Sequence, residues 1–95
     1  MERRYQIVVS PECDRDLRRV RKRNPELCQA LLDVRHVLQH DPFNRMHRAD
    51  IVKLEDVPAG HGQYRLRVGS YRLRHDIVGD EVVLYSFRPR TASYR

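Results

Sequence analysis

Lysine is nearly missing from this chain of 95 residues: Lys22 and Lys53 are the only two, and the other 17 of its 19 basic residues are arginine. A solvated surface can use either cation, and genomic base composition is one plain account of such an excess. Long apolar runs are missing as well. No stretch approaches the ~20 consecutive apolar residues needed to span a bilayer, and Met1-Glu2-Arg3-Arg4-Tyr5 has no apolar core of the signal-peptide kind. A soluble, cytoplasmic protein with no membrane partner is expected. Cysteine is scarce: Cys13 and Cys28 form no CxxC pair, and each falls at an apolar position of a predicted helix. Two buried thiols are favoured over a disulfide or a redox pair. His36 and His40 stand one helical turn apart, a spacing that suits two metal ligands, but no third ligand is near in sequence. Neither a metal site nor a cofactor is expected. There is no internal repeat, low-complexity tract or linker, so residues 1–95 are read as a single domain with one modest core.

What the chain does have is a two-residue rhythm of arginines. It runs through Gln63-Tyr64-Arg65-Leu66-Arg67-Val68, Tyr71-Arg72-Leu73-Arg74-His75-Asp76-Ile77 and Val82-Val83-Leu84-Tyr85-Ser86-Phe87-Arg88-Pro89-Arg90. Successive side chains of a strand point to opposite faces. Tyr64, Leu66, Val68, Tyr71, Leu73 and Ile77 therefore share an apolar face, and Arg65, Arg67, Arg72 and Arg74 share the other. On the same parity His75 is a hydrogen-bonded core histidine, Tyr64 and Tyr71 are core residues, and Arg74 pairs with Asp76. A guanidinium offers five donors in a planar fork, which suits phosphate oxygens. With a net charge of +6, a small basic domain of this kind usually meets nucleic acid or an acidic protein.

The remaining elements follow from local signals. Arg4-Tyr5-Gln6-Ile7-Val8-Val9 reads as a first strand. Ser10-Pro11-Glu12 opens a helix with a hydroxyl cap, a proline at the first position and an acid in the first turn. Cys13, Leu17 and Val20 form its core stripe. Asn24-Pro25-Glu26 repeats the start signal, so a second helix follows, buried along Leu27, Leu31, Val34 and Leu38 and ended by Asp41-Pro42. Ile51-Val52-Lys53-Leu54 is a short strand. Gly69-Ser70 and Gly79-Asp80 are tight turns joining the last three strands. The order is β-α-α-β-β-β-β, an α+β fold. The run from Arg15 to Arg23 has two readings, the solvated face of its helix or a second phosphate-contacting surface.

This order of elements resembles the RelE/ParE superfamily of toxins. The likeness is carried by Val52-Lys53-Leu54, Tyr64-Arg65-Leu66-Arg67-Val68-Gly69-Ser70-Tyr71-Arg72 and the closing Arg90-Thr91-Ala92-Ser93-Tyr94. The Arg88-Pro89-Arg90 ending is most similar to archaeal RelE-type members. The resemblance implies a four-stranded antiparallel sheet packed on a helical hairpin, acting as the toxin of a type II toxin–antitoxin pair. It also implies a RelB-like antitoxin partner, and messenger RNA on the ribosome as substrate. Catalytic positions fall on Arg65, Arg72, Arg90 and Tyr94; Arg67, Arg88 and Leu54 are expected to contact RNA. In RelE-like cleavage the RNA's own 2′-hydroxyl attacks the adjacent phosphorus, so no protein nucleophile, metal or cofactor is called for. Arginine, with its very high pKa, is a poor proton-transfer group, and Tyr94 is either that group or a stacking residue. The chain departs from the family in having arginines at 65 and 67, where some bacterial members have lysines, and at Arg74-His75, where apolar or aromatic residues are more usual. Two further functions fit the same scaffold: a ParE-like inhibitor of DNA gyrase, and a relic that only binds its antitoxin.

Overall fold

The structure, a computed structural model, describes residues 4–90. Strand β1 (Gln6–Val9) leads into helix α1 (Pro11–Arg23), a 3-10 turn at Pro25–Leu27 and helix α2 (Cys28–His40). Four strands follow: β2 (Ile51–Lys53), β3 (Tyr64–Val68), β4 (Tyr71–Val78) and β5 (Glu81–Pro89). The expected α+β, RelE-like architecture is present, with one difference in the sheet. It has five strands in the order β1-β5-β4-β3-β2. β2 to β5 pair antiparallel, and β1 adds to the far side of β5 as a parallel strand, Gln6 opposite Glu81 through Val9 opposite Leu84.

The first predicted helix start is there, whereas the second opens only a 3-10 turn at Pro25–Leu27, with no side-chain cap from Asn24, and α2 begins at Cys28. The Ser10 hydroxyl accepts from the Cys13 N–H at 3.1 Å, with Pro11 in the first turn of α1. α1 ends at Arg23, where the Asn24 N–H closes on the Val20 carbonyl at 2.7 Å. β1 pairs with β5 only as far as Leu84, which leaves the next stretch of the β5 edge open. α1 covers it. The Ser10 hydroxyl donates to the Tyr85 carbonyl at 3.1 Å, and the Phe87 N–H donates to the Asp16 carboxylate at 3.0 Å. Asp16 is buried for this reason, in the same helix as the buried Cys13 and Val20. A backbone donor that would otherwise be orphaned explains a carboxylate in the core.

The core consists of Cys13, Val20, Leu38, Leu66, Val68, Leu73, Val82, Leu84 and Phe87 with Tyr5, and Leu17, Leu27, Leu31, Val34 and Tyr71 pack against it. β5 carries a bulge: Arg74 pairs with Ser86 and His75 with Leu84, leaving Tyr85 as the extra residue. Strict alternation along β5 would put Val82, Leu84, Ser86 and Arg88 on one face. The bulge resets the phase, so Val82, Leu84 and Phe87 all reach the core and Arg88 joins the arginine side. The Gly69 and Gly79 turns have φ near +60°, as a two-residue hairpin with glycine in its first central position requires.

His75 is fully buried. It stacks on Tyr64, with ring centroids 5.3 Å apart, and its Nε2 lies 3.3 Å from the Pro42 carbonyl. Burial pushes its pKa from 6.5 down to about 4, against opposing pulls from the Pro42 hydrogen bond and the Asp76 charge. The parity argument for a core histidine therefore holds. Cys28 differs from expectation: Cys13 is buried, whereas Cys28 is exposed at the first turn of α2. Leu27, one residue earlier in the 3-10 turn, packs against the core as expected.

Two measurements follow from this packing. Between pH 6.5 and about 4 the unfolded chain takes up a proton at His75 that the folded chain refuses, so stability falls as pH falls through that window, by up to about 3 kcal/mol. Thermal melts between pH 7 and pH 4.5 should therefore be steeper in pH for the wild type than for His75→Gln; parallel curves would exclude His75 as the source. Cys13 has a thiol pushed up to about 12, first by burial and then by the Asp16, Asp14 and Glu12 charges. A thiol reagent should label Cys28 in the native protein and Cys13 only in denaturant, as read by mass spectrometry.

Candidate nucleic-acid interface

Cross-strand register turns the arginine rhythm into rows. Arg67 on β3 pairs with Arg72 on β4, which pairs with Arg88 on β5. One pleat away, Val52 on β2, Arg65 on β3, Arg74 on β4 and Ser86 on β5 form a second row. These rows lie on the face opposite the helices and the core. Arg90 follows Pro89 at the same end as the β3–β4 turn: it is exposed, and its N–H donates to the Ser70 carbonyl at 2.9 Å. Leu54 is half-buried beside the start of β3, its N–H donating to the Gln63 carbonyl at 2.7 Å.

Like charges directly opposite one another destabilise a sheet, so the rows need compensation. Arg88 pairs with Glu12 and, at 3.7 Å, with the buried Asp16. Arg67 lies 3.7 Å from Asp50, both about half-exposed, where an ion pair stabilises little and opens readily. The Nε of Arg65 is buried and has no hydrogen-bond partner among the described residues.

Two expectations change here. Arg72 lies on the face opposite the core, where alternation leads one to expect a solvated side chain, but only 3 % of it is exposed. β4 is the central strand of the three, so long arginine side chains flank it on both sides. Arg74 and Asp76 were expected to pair with one another. Each instead holds the loop before β3. Arg74 donates to the carbonyls of Gly62 at 2.8 Å and His61 at 3.0 Å. The buried Asp76 carboxylate accepts from the N–H groups of Gly62 at 2.8 Å and Gln63 at 2.9 Å. Gly62 has φ +77°, and a Cβ there would meet the Arg74 Cβ at 2.8 Å. Only glycine lets the loop come so close to the sheet.

Tyr94 lies outside the described residues. Arg67, Arg72 and Arg88 share one row, with Arg65 in the next. Sequence reasoning missed His61, which lies in no periodic segment, and whose ring centroid is 6.3 Å from that of Tyr85. It also missed Asp16, because an acid beside an apolar helical stripe carries no signal for the backbone donor that it meets. Among the described residues no group of three or more His, Cys, Asp or Glu side chains is placed to hold a metal ion, and no helix is long and apolar enough to cross a membrane.

Two helices on one face of a five-stranded mixed sheet, with arginine rows on the other, define an α+β domain of RelE-like fold. Among solved structures, the chain is similar to the archaeal RelE–RelB complex from Pyrococcus horikoshii OT3, at 19 % identity and TM-score 0.68, covering 90 % of this chain and 94 % of that one. It is also similar to the RelB–RelE antitoxin–toxin complex from Methanococcus jannaschii, at 22 % identity and TM-score 0.55, covering 92 % and 94 %. No protein-family model and no curated protein matches the sequence.

The loop clamp can be tested by stability. Each hydrogen bond to the buried Asp76 carboxylate stabilises by about 1.5–3 kcal/mol, so Asp76→Ala should lower the unfolding free energy by about 3 kcal/mol or more in urea. Gly62→Ala should also destabilise, through its positive φ and the contact with Arg74. Unchanged midpoints in both variants would show that the loop is not held this way.

Proposed function

We propose that the chain is the toxin of a type II toxin–antitoxin pair and a ribosome-dependent endoribonuclease that cuts messenger RNA in the A site. The observation that carries this reading is the pair of arginine rows set on one sheet face of a RelE-like fold. In the proposed reaction the 2′-hydroxyl of the RNA attacks the adjacent phosphorus, the bond to the 5′-oxygen breaks, and a 2′,3′-cyclic phosphate forms. The 2′-hydroxyl loses its proton and the leaving 5′-oxygen gains one. Arg65, Arg72 and Arg90 stabilise the extra negative charge that builds on the phosphorane, the task for which fixed guanidinium donors are suited.

The neighbouring residues take supporting roles. Arg67 and Arg88 hold flanking phosphates, and Leu54 borders the bound strand. Arg67 exchanges its half-exposed Asp50 partner for phosphate. Arg88 is anchored on Glu12 and Asp16 and presents its remaining donors. Tyr94 supplies proton transfer or stacking. A face that stabilises charge without an efficient proton-transfer group depends on RNA held in line for attack, and a ribosomal A site provides that alignment. The net charge of +6 favours such phosphate-rich surroundings. A RelB-like antitoxin is the cognate partner, and the site of action is cytoplasmic.

Induced expression should halt translation and leave messages cut within codons, while purified protein leaves naked RNA largely intact. Mapping 5′ ends after induction, beside a supercoiling assay with purified gyrase, tests this. Unchanged message ends with blocked supercoiling would replace the proposal with a gyrase inhibitor, and no effect in either assay would leave an antitoxin-binding relic. Arg65→Ala and Arg90→Ala should each lower the cleavage rate by ~10²–10³ with little change in thermal midpoint. Arg72→Ala should lower both rate and stability, because that side chain is buried.

A further inference from the structure

Beside the arginine rows stands a pair of aromatic rings that the proposed chemistry does not use. Tyr85 is the extra residue of the β5 bulge, and bulges commonly re-aim a side chain next to a functional site. The Cβ that Gly62 lacks would lie 3.4 Å from the Tyr85 Cβ and 2.8 Å from the Arg74 Cβ, so Tyr85 and Arg74 sit side by side against the loop on the arginine side of the sheet. His61 is exposed at the tip of that loop. The ring centroids of His61 and Tyr85 are 6.3 Å apart, with the planes inclined at 46°.

We propose that His61 and Tyr85 form a nucleobase-stacking subsite, which takes the base of a nucleotide next to the scissile phosphate and contributes to sequence preference. This rests on the reading of the arginine face as an RNA-binding surface. A flat ring held between two others needs centroids about 7 Å apart, twice the ~3.5 Å carbon–carbon contact distance. The observed 6.3 Å falls short by under about 1 Å, and turning the exposed His61 ring through the 46° between the planes aligns the two rings. The loop itself is held to the sheet by Asp76 and Arg74, which lets one side chain adapt without the backbone moving. The notch adjoins the row that contains Arg65 and Arg74. Along β4 that row is two residues from Arg72, about 6.7 Å at strand rise, a separation comparable with one nucleotide repeat. Stacking on an aromatic side chain accepts any base with a π-face, so the preference it adds is modest and follows stacking strength.

The test separates stacking from phosphate binding and needs no cleavage. A short single-stranded RNA with one 2-aminopurine is titrated at low salt with the wild type, His61→Ala and His61→Phe. Binding is read by anisotropy of an end label, stacking by quenching of 2-aminopurine. The wild type should bind and quench; His61→Ala should bind up to ~5–10-fold more weakly with most of the quenching lost, and His61→Phe should keep it. In ribosome-dependent cleavage, the same alanine variant should redistribute cut sites among codons while thermal midpoints stay within a degree of the wild type. Binding with equal quenching in all three proteins overturns the subsite and leaves the arginine face intact. No binding by any of the three at low salt overturns both.

Discussion

The extra residue in β5 is the constraint on which both faces of this sheet depend. Without Tyr85 as a bulge, either Phe87 or the pair Val82 and Leu84 would turn away from the helices. All three are buried in the core. The same phase change brings Arg88 across from Arg72 and completes the row begun by Arg67. One irregularity in the ladder therefore reconciles a core that has to be apolar with a surface rich in guanidinium groups.

That surface holds like charges at cross-strand distance, an arrangement that costs stability unless neighbours offset it. Three acids do so from outside the strands that carry the arginines. Glu12 and Asp16 come from α1, and Asp50 comes from the loop before β2. Asp16 has a second task at the same point, because its carboxylate also accepts the Phe87 N–H. α1 thus closes the β5 edge and fixes Arg88 through a single buried side chain. The partners differ in strength: Asp16 is enclosed, whereas Arg67 and Asp50 meet near solvent, where water and salt compete. Arg67 is accordingly held more loosely by its partner than Arg88 is by Asp16.

The loop from Pro58 to Gln63 is governed by the same economy of fixed donors. Arg74 and Asp76 look like an ion pair in sequence, two residues apart on one face. They bind backbone groups instead, because the loop passes within contact distance and its N–H and C=O groups would otherwise be left without partners. Gly62 permits that passage. His61 is consequently carried to the edge of the arginine face, beside Tyr85.

The sequence by itself determined the elements and their facing. Two-residue alternation separated arginines from apolar residues, Ser10-Pro11 marked the start of the first helix, Asn24-Pro25 marked the break before the second, and glycine turns set the last three strands. Those signals are local, and so they can be read along the chain. The resemblance to RelE, resting on Tyr64 through Arg72 and on the closing arginines, led to the fold that the solved archaeal structures share. Only the tertiary structure decided the rest. It placed β1 parallel to β5, buried Arg72 between flanking arginines and exposed Cys28. It also gave Asp16 its backbone donor and brought His61 to Tyr85. Apart from the exposure of Cys28, each of these depends on residues far apart in sequence meeting at one place. Asp16 and Phe87 are 71 positions apart, and no periodicity along a chain encodes such an encounter.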